Sequence, residues 1–86
     1  MNKKTLQIAF GTILKRHRKH ARLSQEDLAL RSKYHRTYIS LLERGKKTPS
    51  LRTVFRLSDC LKISPSKMVE DIEIMITSPP PKPPNQ

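Results

Sequence analysis

The chain has 86 residues, 35% of them hydrophobic, which bounds it to one small domain with a modest core and room for a short tail. Eighteen Lys and Arg against seven Asp and Glu leave a formal charge of +11, a basic excess that points to a polyanionic partner, nucleic acid before membrane. The single Cys60 excludes an internal disulfide, and its neighbours Leu57 and Leu61 mark it as a small packing residue.

The basic charge is concentrated at the start. Lys3, Lys4, Lys15, Arg16, Arg18, Lys19 and Arg22 occur before any acid. In the same region Leu6, Phe10, Ile13, Leu14 and His17 recur at three- and four-residue steps, which predicts a first helix from about Thr5 to Ala21. The basic, apolar opening resembles a secretory signal, but Gln7, Gly11 and Thr12 break the apolar run and "KRHRKH" stands where a small-residue cleavage site belongs. The longest apolar-leaning run, "MVEDIEIMI", is too short and too acidic to span a bilayer. A cytoplasmic protein with no membrane partner is expected.

"LSQEDLALRS" begins with a strong start signal. Ser24 is a good N-cap, Asp27 completes a Ser-x-x-acid capping box, and Leu23 can staple onto Leu28. A second helix is predicted from Gln25 to Ser32. Helical period resumes from Arg36 to Arg44, and Gly45 is a natural stop. After the loop "KKTPS", Ser50 caps a fourth helix through about Lys62, with Leu51, Val54, Leu57, Ser58 and Leu61 on one face. Ser64 and Pro65 start a fifth. Its side with Met68, Ile72, Met75 and Ile76 exceeds what so small a chain can bury alone, and Val69 and Ile74 add apolar area elsewhere. A two-fold dimer through residues 64 to 77 is therefore expected. "SPPPKPPNQ" lacks the backbone donors to build structure, so residues 1–77 are read as the domain and 78–86 as a proline-rich disordered tail.

The second and third helices are short and joined by only a few residues. That forces a sharp crossing, the helix-turn-helix arrangement over about residues 25–44, with Ala29 small enough for the close contact. At about 100° per residue, the third helix divides cleanly. Tyr38, Ile39, Leu42 and Glu43 share one arc, which is largely apolar. Arg36, Thr37, Ser40, Leu41 and Arg44 share the other. The second arc suits a major groove: Arg36 can donate two parallel hydrogen bonds to guanine, Thr37 and Ser40 can meet base edges or a phosphate, and Leu41 can cover a thymine methyl. Glu43 is a lone acid on the buried arc and needs a partner; Arg18, near the end of the first helix, is the one expected.

From Phe10 to Glu70 the chain resembles the Cro/C1-type helix-turn-helix family of phage repressors and small bacterial regulators. "LSQEDLA" followed by "RTYISLLERGKKTPS" carries the resemblance, and "RTYIS" with "ERG" is particularly similar to controller proteins of restriction–modification systems. The resemblance implies an all-α, five-helix, lambda-repressor-like domain, acting as a homodimer on a pseudo-palindromic operator in double-stranded DNA as a transcriptional regulator. By position it implies a phosphate contact at Gln25, base-facing roles for Arg36, Thr37, Ser40 and Leu41 with His35 and Tyr38 at their edge, an internal ion pair of Arg18 with Glu43, and a backbone-lying loop at Lys46 and Lys47. Arg44 and Arg52 add cations for phosphates, and a charged His35 could serve as another. Three positions depart from the pattern. Arg22 and Lys33 stand where Gly or Asn usually ends a helix or makes the turn, and His35 stands where Asp or Thr usually caps the reading helix.

Rival functions find less support. His17, His20 and His35 have no Asp or Cys at catalytic or metal spacing, so neither an enzyme nor a metal or other cofactor is expected, and no small-molecule ligand is implied. The alternative from another class is the antitoxin of a toxin–antitoxin pair, which would bind DNA and a protein partner. Antitoxins usually carry a longer partner-binding segment than this chain offers.

Overall fold

A computed structural model of the protein describes residues 1–78, so the proline-rich run lies outside the described residues. Five helices follow one another, with no strand among the described residues: α1 (Lys3–His20), α2 (Gln25–Ser32), α3 (Arg36–Glu43), α4 (Leu51–Cys60) and α5 (Pro65–Thr77). Each starts on a polar side chain that accepts an N–H of the first turn, from Asn2, Ser24, His35, Ser50 and Ser64 respectively. The Ser24–Asp27 capping box is complete in both directions. α1 begins earlier than the apolar period indicated, because the Asn2 side chain accepts from the Thr5 N–H at 2.8 Å and nucleates the turn ahead of Leu6.

The helix ends are equally defined. α1, α3 and α4 close on the same pair of reversed hydrogen bonds, seen at α3 as Gly45 N–H to Leu42 O (3.1 Å) and Lys46 N–H to Leu41 O (2.9 Å). This closure needs a left-handed residue, which is Arg22 (φ 59°) at α1, Gly45 (φ 70°) at α3 and Lys62 (φ 58°) at α4. Lys33 (φ 62°) ends α2 in the same conformation. Arg22 and Lys33 thus keep the backbone that Gly would take, and Lys62 is a third case the sequence pattern did not single out. Each costs about 1 kcal/mol relative to Gly, partly offset by placing a cation beside the helix's last carbonyls, about 0.3–1 kcal/mol.

All five helices contribute to one core, with Phe10, Leu14, Leu28, Leu42, Leu57 and Met68 fully buried within it. α1 packs on α3 and α5, α2 on α3 and α4, and α4 on α5. The α1–α3 crossing is close because of Gly11. A Cβ there would lie 2.4 Å from the Leu42 carbonyl oxygen and 2.6 Å from that of Glu43, so the end of α3 rests directly on the α1 backbone. α5 is tied to α1 by His17 Nε2 against Asp71 Oδ2 at 2.7 Å, with Lys67 Nζ 3.1 Å from the other carboxylate oxygen. The His17 contact, followed by Lys67, holds the Asp71 carboxyl below the usual carboxylate range.

Two expectations are corrected. Met68 and Ile72 are not available to a dimer: one turn apart on α5, both face the protomer's own core, 0% and 7% exposed. A chain this short has few large apolar side chains, and its core takes the inward pair first. Met75 and Ile76 are half-buried against the same core, while Val69 and Ile74 are exposed. Leu51 does not pack with Val54 and Leu57 either. It is the first residue of α4 and lies 71% exposed, because the chain enters the helix there from the surface loop.

Candidate nucleic-acid interface

The inward arc of α3 is fixed at both ends. At the C-terminal end, Arg18 grips Glu43 with two parallel hydrogen bonds, Nε to Oε2 at 2.6 Å and Nη2 to Oε1 at 2.9 Å. Its third nitrogen donates to the Leu23 carbonyl at 2.8 Å, and the Gln25 side-chain amide donates to Glu43 Oε1 at 3.1 Å. The hydrogen bonds to Glu43 raise the Arg18 pKa further above neutrality. The carboxylate, with its side chain 2% exposed, therefore ties the end of α1, the start of α2 and the end of α3 into one unit. The ion pair named from sequence is present with the geometry that makes such pairs rigid.

At the N-terminal end a hydroxyl cluster performs the same task, and the sequence pattern did not reveal it. Thr53 Oγ1, buried on α4, lies 3.0 Å from Tyr34 Oη, 3.3 Å from Tyr38 Oη and 3.0 Å from Ser50 Oγ. The two tyrosine rings meet edge-on, 5.1 Å between centroids. The Arg56 guanidinium sits 4.7 Å above the Tyr34 ring and its Nη1 reaches the Ser32 carbonyl. One clue was legible: Tyr38 falls on the inward arc, where a buried phenol needs a hydroxyl partner. The partner came from an element far along the chain. Tyr38, expected at the edge of the base-facing set, thus has its hydroxyl turned to α4 and its ring half-buried.

The outward arc is left free. Arg36 and Thr37 are exposed, and Ser40 and Leu41 are partly exposed beside them. Arg44 is exposed and donates through Nε to Ser40 Oγ at 3.2 Å, so the two form one polar unit a turn apart. His35 does cap α3: its Nδ1 accepts the Thr37 N–H at 3.3 Å. An accepting Nδ1 places the proton of a neutral ring on Nε2, which becomes a donor on an exposed side chain. Lys46 and Lys47, in the loop after α3, and Arg52, in the first turn of α4, are exposed as well. Gln25 is half-buried, with its amide on Glu43.

His17 turns to Asp71, and no group of three His, Cys, Asp or Glu side chains converges as a metal site among the described residues. Cys60 is partly buried, and burial pushes its thiol pKa up, which disfavours a thiolate. No helix among the described residues is long and apolar enough to cross a membrane. The arrangement instead offers a short cationic and hydroxylic helix face, held from behind at both ends and flanked by exposed cations.

Comparison with known proteins matches a family model described as helix-turn-helix to residues 14–68. The chain is 41% identical over 69 residues to control protein C.MunI from a Mycoplasma species, covering 79% of this chain and 93% of that relative. Among solved structures it is similar to the restriction–modification controller protein C.AhdI from Aeromonas hydrophila, with a TM-score of 0.70 at 35% identity over 72% of this chain and 94% of that one. It is similar also to the controller protein C.Esp1396I, solved as a tetramer with its natural 35 base-pair operator, with a TM-score of 0.76 at 28% identity over 83% of this chain and 93% of that one.

Proposed function

The chain belongs to the helix-turn-helix family of DNA-binding transcriptional regulators, and from that premise we propose that it is a restriction–modification controller acting in the cytoplasm as a homodimer on a pseudo-palindromic operator, with α3 in the major groove. The observation that carries this reading is the division of α3: its inward arc is locked by Glu43 and Tyr38, so Arg36, Thr37, Ser40 and Leu41 are presented on a rigid base. Discrimination needs that rigidity, because a bidentate contact to guanine O6 and N7 tolerates little angular error.

Phosphate contacts supply most of the affinity and set the register. Lys46, Lys47, Arg44 and Arg52 are the side-chain candidates, joined by the free amides at the start of α2 and α4. His35 donates from Nε2 while its Nδ1 caps the helix. Gln25 uses one amide hydrogen on Glu43 and keeps a second for a phosphate, which links backbone contact to the placement of α3.

One α3 spans only a few base pairs, so specificity requires two copies. With Met68 and Ile72 committed to the core, the dimer face shifts to the outer side of α5. Val69 and half-buried Ile76 border a shallow apolar depression of about 370 Å³ with Leu6, and Leu51 adjoins it from α4. Ile74 and Met75 lie between Val69 and Ile76 along α5, and Met75 lines a neighbouring depression with Ile8 and Ile76. Selection of bound DNA from a random pool tests the whole reading. Two related half-sites about one helical turn apart are expected; a single unpaired site, or no enrichment, refutes it.

A further inference from the structure

Arg22, Lys33 and Lys62 all hold left-handed backbone where glycine would be unstrained. They share a second feature. Each stands two residues ahead of an N-cap: Arg22 before Ser24, Lys33 before His35, and Lys62 before Ser64. Each cation therefore lies between the carbonyl end of one helix and the amide start of the next. Attraction to the carbonyl end is common to all three. What differs is the helix that follows. α2 and α3 are the helices of the proposed DNA complex, and α5 is not.

Lys33 also lines an open concavity of about 500 Å³ together with Leu30 of α2 and His35 and Arg36 at the start of α3. Arg22 is exposed just before the first turn of α2. Among the described residues neither has an ion-pair partner, although Glu26 borders the same concavity. Both charges thus remain for an external anion. A left-handed residue that closes a helix cannot swing its backbone, so its side chain projects from a fixed point.

We infer that Lys33 and Arg22 are phosphate-contacting residues, gripping the DNA backbone beside the bases that α3 reads, whereas Lys62 shares their conformation without that role. The inference rests on α3 being the DNA-reading helix. Its test compares Lys33→Gln, Arg22→Gln and Lys62→Gln, each of which removes one charge and keeps a long side chain at an exposed position. Binding of each to the operator selected by the wild-type protein, and to a mixed-sequence duplex, is titrated across salt. Lys33→Gln and Arg22→Gln are expected to weaken both complexes alike, several-fold at moderate salt, and to flatten the slope of log K against log salt by about 0.9 per protomer. Lys62→Gln is expected to leave the slope within about 0.3 of wild type, the residue of a distant charge. Equal slopes for all three variants, changed or unchanged, overturn the inference. Failure of the reading itself shows separately, as a wild-type protein that prefers no sequence.

Discussion

Glu43 is a carboxylate almost entirely removed from water, and its three hydrogen bonds come from two different helices. Such a charge is tolerated only while its partner is in place. Glu43→Ala is expected to lose about 3–5 kcal/mol of folding free energy, because Arg18, 10% exposed, is left charged without a counter-ion. The double variant Arg18→Met with Glu43→Leu should lose clearly less than the two single losses summed. Urea unfolding at one fixed protein concentration measures both; additive losses would show that the pair does not act as a unit. Arg36 is the opposite case, exposed and unconnected to the core. Arg36→Ala should leave the unfolding midpoint unchanged and reduce discrimination between operator and mixed-sequence DNA by about 1–3 kcal/mol. Equal loss on both DNAs in a titration would remove Arg36 from the base-reading set.

The α1–α3 contact depends on a missing side chain. A glycine inside a helix is destabilising by about 1 kcal/mol relative to alanine, so Gly11 must be compensated, and the carbonyls of Leu42 and Glu43 lying within 3 Å of its absent Cβ are the reason. Gly11→Ala is expected to cost at least about 3 kcal/mol, above the usual range for overpacking, since backbone rather than a flexible side chain must move. It should also weaken operator binding, because the displaced segment carries Glu43 and the end of α3. Thermal unfolding and a binding titration report the two effects, and a stable variant with normal binding would exclude the close crossing. The helices themselves were legible because Ser24, Ser50 and Ser64 are strong caps and Gly45 a strong stop. Arg18–Glu43 was legible because a lone acid on an apolar arc demands a cation. Gly11 was not, since periodicity describes one helix and its role is set by another. The Thr53 hub was hidden for the same reason: Tyr34, Tyr38 and Ser50 converge on it only after α4 folds back. α5 misled because its period names an apolar side without saying whether the protomer or a partner covers it.

At the scale of the molecule, the proposed complex draws on the charge of +11 for DNA and on the apolar outer side of α5 for a second copy. Asp71 holds α5 on α1 through His17, and Lys67, one turn earlier on α5, steadies the same carboxylate. Its pKa is lowered in the fold, so the ionised form contributes stability above the unfolded value of about 4, and that contribution is lost as pH falls through the folded value. Asp71→Asn should therefore be less stable than wild type at pH 7 and converge on it in strong acid; a gap that persists at pH 2 would assign the loss to packing instead. The proposed assembly can be separated from the fold at Val69, 51% exposed on the outer side of α5 and bordering the apolar depression it shares with Leu6 and Ile76. Its side chain contributes little to the core, so Val69→Glu should keep the helical content of the monomer. The added charge cannot be buried against an apolar partner surface without a counter-ion. Sedimentation should then show a monomer at tens of micromolar, where the proposed assembly predicts a dimer for the wild type. If a dimer neutralises about eight phosphates, its salt slope is about −7, and a monomer restricted to one half-site should show roughly half of that. Loss of the second half-site also removes half the base contacts, so operator affinity should fall at least about a hundredfold, with mixed-sequence binding less affected. The three readouts are linked. A variant that stays dimeric would move the dimer face away from α5, and one that becomes monomeric while keeping the wild-type salt slope on the operator would show that the dimer is not the unit that binds DNA.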